Sequence, residues 1–342
     1  MVSISGNSFV IREINTNLVR NVLKSGGQYT KQQIAASTGL TSVTAATVLN
    51  QLIASNEAIE VELSSPRGGR PAHQFKYNPD HAHALVLFPV EAKSNVRIRC
   101  TVVNLFGETV SRNDFKVPYL EIPILEEIID EIIMSYPKIS AIGLGLPGAE
   151  HEGKIIVSDY KSLIGLPLVE HLRIRYQRPV IMENDVNSAV IGYSEKELGN
   201  DKASVAYIYF PGTYPPGSGL LLNGRLLKGD SNFAGEVSFI PLGIDWTDKE
   251  LYSSQEKTSD AVAKLIATVA SILNPRDFVL NGDFLTKGQL ERIHEKCMAL
   301  LPEKVNPRLH LSDDFNRDYL NGMIHLTLNA IEPGVVLSRG GF

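Results

Sequence analysis

The segment Ile-Ser-Ala-Ile-Gly-Leu-Gly-Leu-Pro-Gly, residues 139–148, is an apolar run that closes on a glycine-rich turn. A run of this length bounded by such a turn predicts a buried β-strand over 139–145. The same succession recurs at 179–182, where a second apolar strand ends in Glu-Asn-Asp at 183–185. Helix-forming residues follow from 186 to 198. Strand, turn and helix in repetition indicate an α/β fold.

The flanking sequence extends this α/β pattern in both directions. Apolar stretches predict further strands at 84–90, 96–103, 108–115 and 204–210. Isoleucine and leucine recur at helical spacing over 121–135, which predicts an amphipathic helix. Hydrophobic residues make up 43% of the 342 residues and charged residues 21%, so the chain can bury a sizeable core. We therefore expect residues 80–342 to form an α/β body.

Short motifs along this body resemble those of the ROK family, which comprises repressors, open reading frames and sugar kinases. The most specific are GLPG at 145–148, ENDVNSA at 183–189, NGRL at 223–226 and GE at 235–236. Residues 6–15 also resemble the lead-in that is typical of the family's regulators. The resemblance implies the hexokinase–actin fold, also called ribonuclease H-like, with a cleft between two lobes at about 80–190 and 191–342.

The resemblance also implies a sugar site at the strand-to-helix junction. Asp185 matches the family's catalytic aspartate, which accepts a hydroxyl proton during phosphoryl transfer. Asn184 and Glu236 match family residues that hydrogen-bond sugar hydroxyls, and planar amide and carboxylate groups suit vicinal hydroxyls. An Asn-Asp pair at this position is also explained as a helix cap. We predict Asn184, Asp185 and Glu236 as ligand-binding residues.

The segments that would bind ATP depart from the family pattern. Phosphate loops need glycines whose backbone N–H groups can approach the ligand. The first such region, residues 88–95, contains no glycine, and Glu91 brings a negative charge there. In the second region, 214–219, Pro215 removes an N–H group, and near the adenosine position Asn281 replaces a glycine. Because phosphoryl transfer depends on positioning and charge neutralisation, we predict no kinase activity, no catalytic residue and no cofactor.

The family's zinc site is also missing from the sequence pattern. It would need a histidine shortly after the Gly-Glu motif, where Phe239 stands instead, and a cysteine cluster that residues 240–246 lack. The missing histidine is a sugar contact in the family as well. Cys100 and Cys297 are isolated from each other and from other metal ligands, which predicts reduced thiols and no bound metal.

The first 79 residues predict a separate unit that begins with three helices. Apolar residues recur at helical spacing from 10 to 25. Thr30 and Gln33 have the spacing of a capping box for a short second helix. Gly39 then permits a tight turn. A third helix follows, with an apolar set formed by Val43, Ala46, Val48, Leu49 and Ile53. This order indicates a helix-turn-helix.

A hairpin follows the three helices. Alternating residues predict strands at 58–63 and 74–77, and the turn at 64–71 carries Arg67 and Arg70 around two glycines. Such a turn could enter a narrow minor groove, where A·T-rich DNA concentrates negative potential. The combination predicts a winged helix-turn-helix DNA-binding domain over residues 1–79. The alternative is a three-helix protein-interaction module with a solvated loop.

The predicted DNA contacts lie at helix starts and on the wing. Helix N-termini present backbone N–H groups to phosphates and short polar side chains to base edges. The predicted contact residues are Thr30, Lys31, Thr41, Ser42, Thr44, Thr47, Asn50, Arg67, Gly69 and Arg70. Residues 1–79 carry a net charge of +3 and the remainder −8, within a total of −5. A basic head on an acidic body favours a polyanionic partner.

These patterns predict a transcription regulator. No apolar run is long enough for a membrane span or a signal core, so we expect a cytoplasmic protein. We expect it to bind double-stranded, A·T-rich operator DNA as a homodimer or a dimer of dimers. We expect it to repress carbohydrate-related genes under the control of a sugar or sugar derivative bound in the body. Two alternatives stay open: a sugar kinase with an appended DNA-binding domain, and a regulator whose kinase-like body only dimerises.

Overall fold

The computed structural model describes residues 8–62, 73–92, 95–151, 153–158, 160–199, 203–212 and 214–331. Within these ranges the chain forms two compact units. The first contains residues up to 83 together with 104–108, and the second contains 84–103 and 109–331. Among the described residues, no helix combines the length and the apolar character that a membrane span requires.

The first unit consists, in its described part, of three helices and three strands. They are α1 (Ser8–Lys24), β1 (Tyr29–Thr30), α2 (Lys31–Thr38), α3 (Ser42–Ala54), β2 (Ala58–Glu62) and β3 (His73–Tyr77). Strand β3 lies between β1 and β2 and pairs antiparallel with both. A single core joins helices and sheet, with Leu23, Ile34, Leu49 and Phe75 no more than 1% exposed.

The turn from α2 to α3 forms as its sequence predicts. The Gln33 backbone N–H donates to Thr30 Oγ1 at 3.3 Å, and the Thr30 N–H donates to Gln33 Oε1 at 2.8 Å, which confirms the capping box. Gly39 ends α2 with a φ of 71°, a left-handed conformation that glycine adopts without strain. Thr41 caps α3 by accepting a hydrogen bond from the Thr44 N–H at 3.1 Å.

The position of Val43 differs from the apolar set that the sequence predicted for the third helix. The apolar pattern placed it on the buried face of α3, but it is 78% exposed. The buried face is formed by Ala45, Val48, Leu49 and Leu52. With 3.6 residues per turn, position 43 lies on the opposite side of the helix from these four residues. The apolar character of Val43 did not predict its exposure, because Val43 is an apolar residue on the otherwise polar face of an amphipathic helix.

The second unit begins with a mixed sheet of five strands in the described chain. Its elements are β4 (His83–Ala92), β5 (Asn95–Asn104), β6 (Thr109–Val117), α4 (Ile122–Ser135), β7 (Ile139–Gly145), β8 (Gly148–His151), β9 (Lys154–Ser158), α5 (Leu168–Tyr176) and β10 (Val180–Glu183). The strand order in the five-stranded sheet is β10-β7-β4-β5-β6, and β8 and β9 form a separate antiparallel pair. Strand β10 is parallel to β7, whereas β5 and β6 are antiparallel. Ile129 of α4 and Leu172 of α5 are fully buried in the core of this sheet.

A second mixed sheet follows, again with five strands in the described chain. Its elements are α6 (Asp185–Tyr193), β11 (Val205–Phe210), β12 (Gly217–Leu222), β13 (Arg225–Leu226), α7 (Lys249–Ser253), α8 (Gln255–Leu273), β14 (Asp277–Gly282), α9 (Lys287–Leu300), β15 (Arg308–Leu311) and α10 (Phe315–Ile331). The strand order is β13-β12-β11-β14-β15. Strands β11, β14 and β15 are parallel, and β12 is antiparallel to β11. Helices α8 and α9 share a core with this sheet.

Helix α10 packs back onto the first sheet. It contacts β7, where glycines at 143 and 145 leave room for Thr327 and Tyr319. It also lies against α6, where a Cβ on Gly322 would collide with the Ser188 carbonyl. The lobe boundary near residue 190, expected from the family resemblance, stays a prediction. The close approach permitted by these glycines places α10 against the first sheet.

Candidate functional site

A polar cavity of about 310 Å³ lies beyond the carboxyl end of β10. Its walls come from the start of α6, the start of β12 and the segment that follows β13. The polar side chains that line it are Glu150, Glu183, Asn184, Asn187, Ser218, Lys228, Asn232 and Glu236. The crevice outside the carboxyl ends of parallel strands is where α/β proteins bind ligands. The volume suits a small polar molecule such as a monosaccharide.

Glu183 is the buried carboxylate of this cavity, at 8% exposed. Its Oε2 lies 2.7 Å from Lys228 Nζ. Its Oε1 accepts hydrogen bonds from the Asn184 backbone N–H and from Asn187 Nδ2, both at 3.1 Å. Burial disfavours an uncompensated charge, and these three partners offset that cost. Glu183 thereby fixes the position of Lys228 and Asn187 in the wall.

Asn184 connects the cavity to α6. Its Oδ1 accepts a hydrogen bond from the Asn187 backbone N–H at 2.9 Å, so Asn184 is the N-cap of the helix. The same side chain lines the cavity. The cap uses one lone pair of this oxygen, so the second lone pair and the Nδ2 donor can hydrogen-bond a ligand.

Glu236 and Glu150 contribute two further carboxylates. Burial raises the pKa of Glu236 above its ordinary value of 4.5. Asn232 Nδ2 donates a hydrogen bond to the Glu150 backbone carbonyl, which ties the segment after β13 to the β8 strand. Among the described residues that line the cavity, three are carboxylates and only Lys228 is a cation.

Asp185 lies outside this lining. As the first residue of α6, it accepts a hydrogen bond through Oδ1 from the Val186 N–H at 2.9 Å. Burial, and then the negative charge of Asp185, raise the pKa of the Tyr319 hydroxyl well above its ordinary value of 10.0. The structure brings Asn184 and Glu236 to one cavity, and Asp185 stands between two of its lining residues, Asn184 and Val186, without lining it.

Glu183, Asn187 and Lys228 are three of the six polar lining residues that were not predicted from the sequence. Glu183 and Asn187 stand within the ENDVNSA motif, and an acidic side chain at a strand end was a usable signal for Glu183. Lys228 offered no signal, because it belongs to none of the motifs that carry the family resemblance. It reaches Glu183 only through the pairing of β13 with β12.

An aromatic cluster connects the two sheets. Phe88 of β4 contacts Tyr319 of α10, with ring centroids 4.7 Å apart, and Tyr319 contacts Phe315 at 6.1 Å. Phe315 in turn stacks on Tyr209 of β11 at 3.7 Å. Phe88 and Tyr319 are 1% and 4% exposed. The rings form a continuous series of contacts from a strand of the first sheet to a strand of the second.

The segments expected to replace the phosphate loops take part in regular structure. Residues 88–92 form the end of β4, and residues 93 and 94 lie outside the described chain. Pro215 stands just before β12, which begins at Gly217. Asn281 lies in β14, where its Nδ2 donates to the Ser312 carbonyl at 2.9 Å. This asparagine therefore ties β14 to the segment after β15.

Phe239 stands where the family has a histidine, and its ring does not line the cavity. It ends a 3₁₀ turn (Val237–Phe239) and is 71% exposed. Its ring centroid lies 5.5 Å from that of Phe233. The obstruction that a large side chain at this position could cause is therefore not observed.

The cysteines and other metal-binding side chains form no cluster in the described ranges. No three His, Cys, Asp or Glu side chains there come together as metal ligands. Cys100 and Cys297 are both buried. Burial raises the pKa of Cys297 to about 12 and that of Cys100 as well. Thiols with such pKa values are poor nucleophiles.

Helix α3 and its N-cap carry half of the predicted DNA contacts. Thr41, Ser42, Thr47 and Asn50 are exposed, and Thr44 is half-buried. The hydroxyls of Thr41 and Thr44 are hydrogen-bonded to each other at 2.9 Å. Thr47 Oγ1 donates to the backbone carbonyl four residues earlier at 3.0 Å. The helix therefore presents these threonines with their hydroxyls already engaged.

The remaining predicted contacts lie at α2 and on the wing. Thr30 is engaged in its capping box, and Lys31 is exposed, with its Nζ 5.4 Å from the Phe75 ring centroid. Arg67, Gly69 and Arg70 lie outside the described residues. The strands on either side of them, β2 and β3, pair from Ala58↔Tyr77 to Glu62↔His73.

Two mixed sheets with a polar cavity beyond a parallel strand pair define a two-sheet α/β protein. Residues 95–250 match the family described as the ROK family.

The relatives of the chain include regulators and a kinase. The xylose repressor of Bacillus subtilis (strain 168) is 21% identical over 285 residues, which is 79% of this chain and 72% of that protein. The chain spans 62% and 59% of the length of two xylose repressor relatives from Caldicellulosiruptor. A solved ROK family transcriptional regulator, a homologue of the E. coli MLC protein, is 14% identical with a TM-score of 0.66 over 94% of this chain and 98% of that one. The ROK hexokinase from Thermus thermophilus is 19% identical with a TM-score of 0.59 over 72% and 97%. At these identities the two structures show the fold alone.

Proposed function

We propose that the protein is a DNA-binding transcriptional repressor of carbohydrate-related genes, and that a sugar or sugar derivative bound in its kinase-like unit controls DNA binding. The observation that carries this proposal is the combination, in one chain, of a basic three-helix unit and a sugar-kinase-type unit with a polar cavity. Similarity to proteins named xylose repressors supports the same combination.

The DNA-binding part of the proposal rests on the geometry of the first unit. A capped short helix, a left-handed glycine and a second capped helix are the parts of a helix-turn-helix. The antiparallel pair β2 and β3 stands where a winged helix has its wing. The net charge of +3 on residues 1–79 favours contact with phosphates. Together these features support a winged helix-turn-helix with α3 as the recognition helix.

The effector part of the proposal rests on the cavity. Amide donors and carboxylate acceptors are the groups that recognise sugar hydroxyls, and Asn184, Glu236 and Glu150 supply them within one small cavity. Lys228 and Glu183 hold each other at 2.7 Å and so keep the wall in place. The exposed position of Phe239 leaves the cavity open to a ligand.

A non-catalytic body is favoured by the region between the sheets. A kinase needs flexible, glycine-lined space there for the phosphates of ATP. In this chain β4 continues through residues 88–92, and Phe88 packs against Tyr319. Asp185, the counterpart of the family's catalytic aspartate, is outside the cavity lining. We infer that the unit binds a ligand without transferring phosphate.

One experiment tests the proposal as a whole. Purified full-length protein is incubated with random duplex DNA, and the bound fraction is amplified and sequenced. We expect enrichment of a roughly palindromic, A·T-rich sequence, bound by a homodimer or a dimer of dimers, with an affinity that falls steeply with salt. Addition of D-xylose, D-glucose or N-acetyl-D-glucosamine should change that affinity for at least one sugar. A failure to enrich any sequence would refute DNA binding.

Two controls separate the parts of the proposal. Replacing Arg67 and Arg70 together with alanine should weaken binding and reduce the salt slope, because two phosphate contacts are lost. A coupled ATPase assay with the same sugars should show no turnover. Sugar-dependent ATP hydrolysis would favour the alternative of a kinase with an appended DNA-binding domain.

A further inference from the structure

The exposed face of α3 carries methyl groups and an amide but no charge. Val43, Thr47 and Asn50 lie within about 60° of one another around the helix axis at 100° per residue. Val43 is 78% exposed and stands in the first turn, between the other two in angle. The whole of α3 contains no Lys, Arg, Asp or Glu.

Most hydroxyl groups on this face are already hydrogen-bonded. Thr41 and Thr44 bond each other at 2.9 Å, and Thr47 donates to the Val43 carbonyl at 3.0 Å. Rotating these hydroxyls toward a ligand would break bonds within the helix. The surface therefore presents the Val43 methyls, the Thr47 methyl and the Asn50 amide.

This chemistry matches A·T base pairs. Guanine is read most often by Arg or Lys, and α3 has neither. Thymine carries a C5-methyl group that apolar side chains contact in the major groove, and adenine offers N6 and N7 to an asparagine amide. Val43 and Asn50 are about 10 Å apart along the helix, at a rise of about 1.5 Å per residue. This uncharged face therefore suits a thymine and an adenine that are about three base pairs apart, at a stacking distance of about 3.4 Å.

Cations beside this face complete the surface. Arg12 Nε donates to Gln51 Oε1 at 3.3 Å, so the guanidinium group lies next to α3. Lys31, at the start of α2, is exposed. Cations placed in this way can contact phosphates, and such contacts position a protein on the duplex without reading its sequence. Contacts with the base edges are then left to the side chains of α3.

On the basis of the DNA-binding function proposed above, we infer that α3 reads A·T base pairs directly in the major groove. Val43 packs against a thymine C5-methyl group, and Asn50 hydrogen-bonds an adenine N6 and N7. The occupant of this surface is duplex DNA with a thymine and an adenine in each half-site. Val43 is thus a specificity-determining residue. Its apolar character, which predicted a buried position, suits contact with a methyl group instead.

Deoxyuridine substitution tests the contact with single-atom resolution. The duplex enriched by the full-length protein is resynthesised with each thymine in turn replaced by deoxyuridine, which removes only the C5-methyl group. At one or two positions in each half-site we expect affinity to fall about three- to fivefold, the value for losing one buried methyl contact. Substituting 7-deazaadenine for adenine should weaken binding at the Asn50 position in the same way.

Matched variants assign the effect to Val43. In Val43→Ala, the sensitive thymine positions should become indifferent to deoxyuridine, and the thermal midpoint should not change because the side chain is exposed. In Ile11→Ala, which removes a side chain that is 55% exposed on α1, the wild-type sensitivity should persist.

The outcomes distinguish this inference from the proposed function. If an enriched duplex tolerates deoxyuridine at every position, or if Val43→Ala keeps the wild-type sensitivity, α3 does not read thymine through Val43. If no duplex is enriched, the DNA-binding function itself fails, and the inference fails with it.

Discussion

Glu183 and Lys228 form the ion pair that organises the cavity wall. The carboxylate is 9% exposed and the ammonium 44%, and the two charged atoms lie 2.7 Å apart. Glu183 also accepts two hydrogen bonds from the start of α6. A carboxylate in this setting depends on its partners, because removing one leaves a charge that water cannot reach fully.

Replacing Lys228 with methionine should destabilise the second unit. We expect the free energy of unfolding to fall by about 1 kcal/mol, less than for a fully buried pair because Lys228 is half-exposed. The fluorescence of Trp246, the only tryptophan of the chain and part of the second sheet's core, reports unfolding in urea.

A matched lysine provides the control for this prediction. Lys296 Nζ lies 2.6 Å from Glu256 and from Asp260, but both carboxylates are well exposed. Lys296→Met should cause no measurable loss, since exposed pairs contribute little. The double variant Lys228→Met with Glu183→Gln should recover part of the stability. Equal losses in the two single variants would contradict the role of burial.

Glu57 gives the first unit a dependence on pH. Arg20 Nε lies 2.8 Å from Glu57 Oε2, and the two side chains are 19% and 16% exposed. Burial alone would raise the pKa of Glu57, but the hydrogen bond and charge of Arg20 outweigh it and hold the pKa below its ordinary value of 4.5. The folded state therefore binds this proton less tightly than the unfolded chain does.

The sign of the pH effect follows from this lowered pKa. The ion pair's contribution to stability is present above 4.5 and is lost as pH falls through the folded-state pKa. Arg20→Met should reduce protection of α1 and α3 amides from hydrogen exchange at neutral pH. In the same variant, protection of these amides should also fall less steeply as the pH is lowered below 4.5.

Arg12→Met is the control for the pH prediction. Arg12 donates to Gln51, which does not titrate, so this variant should keep the acid-side dependence of the wild type. If protection in Arg20→Met still falls with decreasing pH as steeply as in the wild type, the Arg20–Glu57 ion pair does not cause the pH dependence.

Helices α6 and α10 meet with their backbones in contact. A Cβ at Gly322 would collide with the Ser188 carbonyl, and a Cβ at Gly192 would collide with the Asp318 carbonyl. The two glycines therefore permit the close approach that places α10 against β7 and brings Tyr319 to Phe88. A larger side chain would have to push the helices apart, since backbone atoms cannot move aside as a flexible side chain can.

Gly322→Ala should destabilise the second unit by about 3 kcal/mol or more, because the added methyl overlaps backbone atoms. Gly288→Ala is a matched control within α9, where an added Cβ meets no atom within 4 Å. That variant should be neutral or more stable by about 0.5 kcal/mol, because alanine favours the helix. Trp246 fluorescence during urea unfolding measures both. A mild effect of Gly322→Ala would mean that α6 and α10 can separate without loss of packing.

At the scale of the whole molecule, the charge of the cavity favours some of the proposed effectors over others. Glu150, Glu183 and Glu236 face it, and the one lysine among the described lining residues is already paired with Glu183. A neutral sugar meets acceptors for its hydroxyl groups. A phosphate ester would bring two negative charges into a space that already holds three carboxylates.

We therefore expect the cavity to prefer an unphosphorylated sugar. A sugar that binds the folded state raises the thermal midpoint in proportion to its concentration relative to Kd. D-Xylose and D-glucose should raise it more than D-xylose 5-phosphate and D-glucose 6-phosphate at equal concentration. In Glu236→Gln, the difference in midpoint shift between each sugar and its phosphate should become smaller, because one negative charge that repels the phosphate is removed. A midpoint raised by a sugar phosphate but not by its parent sugar would contradict the prediction.

Much of the fold follows from short-range sequence features. The capping box at Thr30, the left-handed Gly39 and the Thr41 cap depend on neighbours within four residues, and all three are present in the structure. The buried strands over 139–145 and 180–183 and the helix after them likewise follow from local periodicity. Such features are readable because the groups that stabilise them lie close together in the chain.

Only the tertiary structure decided the cavity and the faces around it. Lys228 meets Glu183, and Tyr319 meets Phe88, because sheet pairing and two glycine contacts join segments that are far apart in sequence. Val43 and Asp185 show the same limit. Residue type placed Val43 in the core, but it is 78% exposed. The family resemblance placed Asp185 in the sugar site, and the lining of the cavity includes its neighbours Asn184 and Val186 but not Asp185 itself. The direction of a side chain depends on what packs against its element, and this packing is set by contacts that no local pattern records.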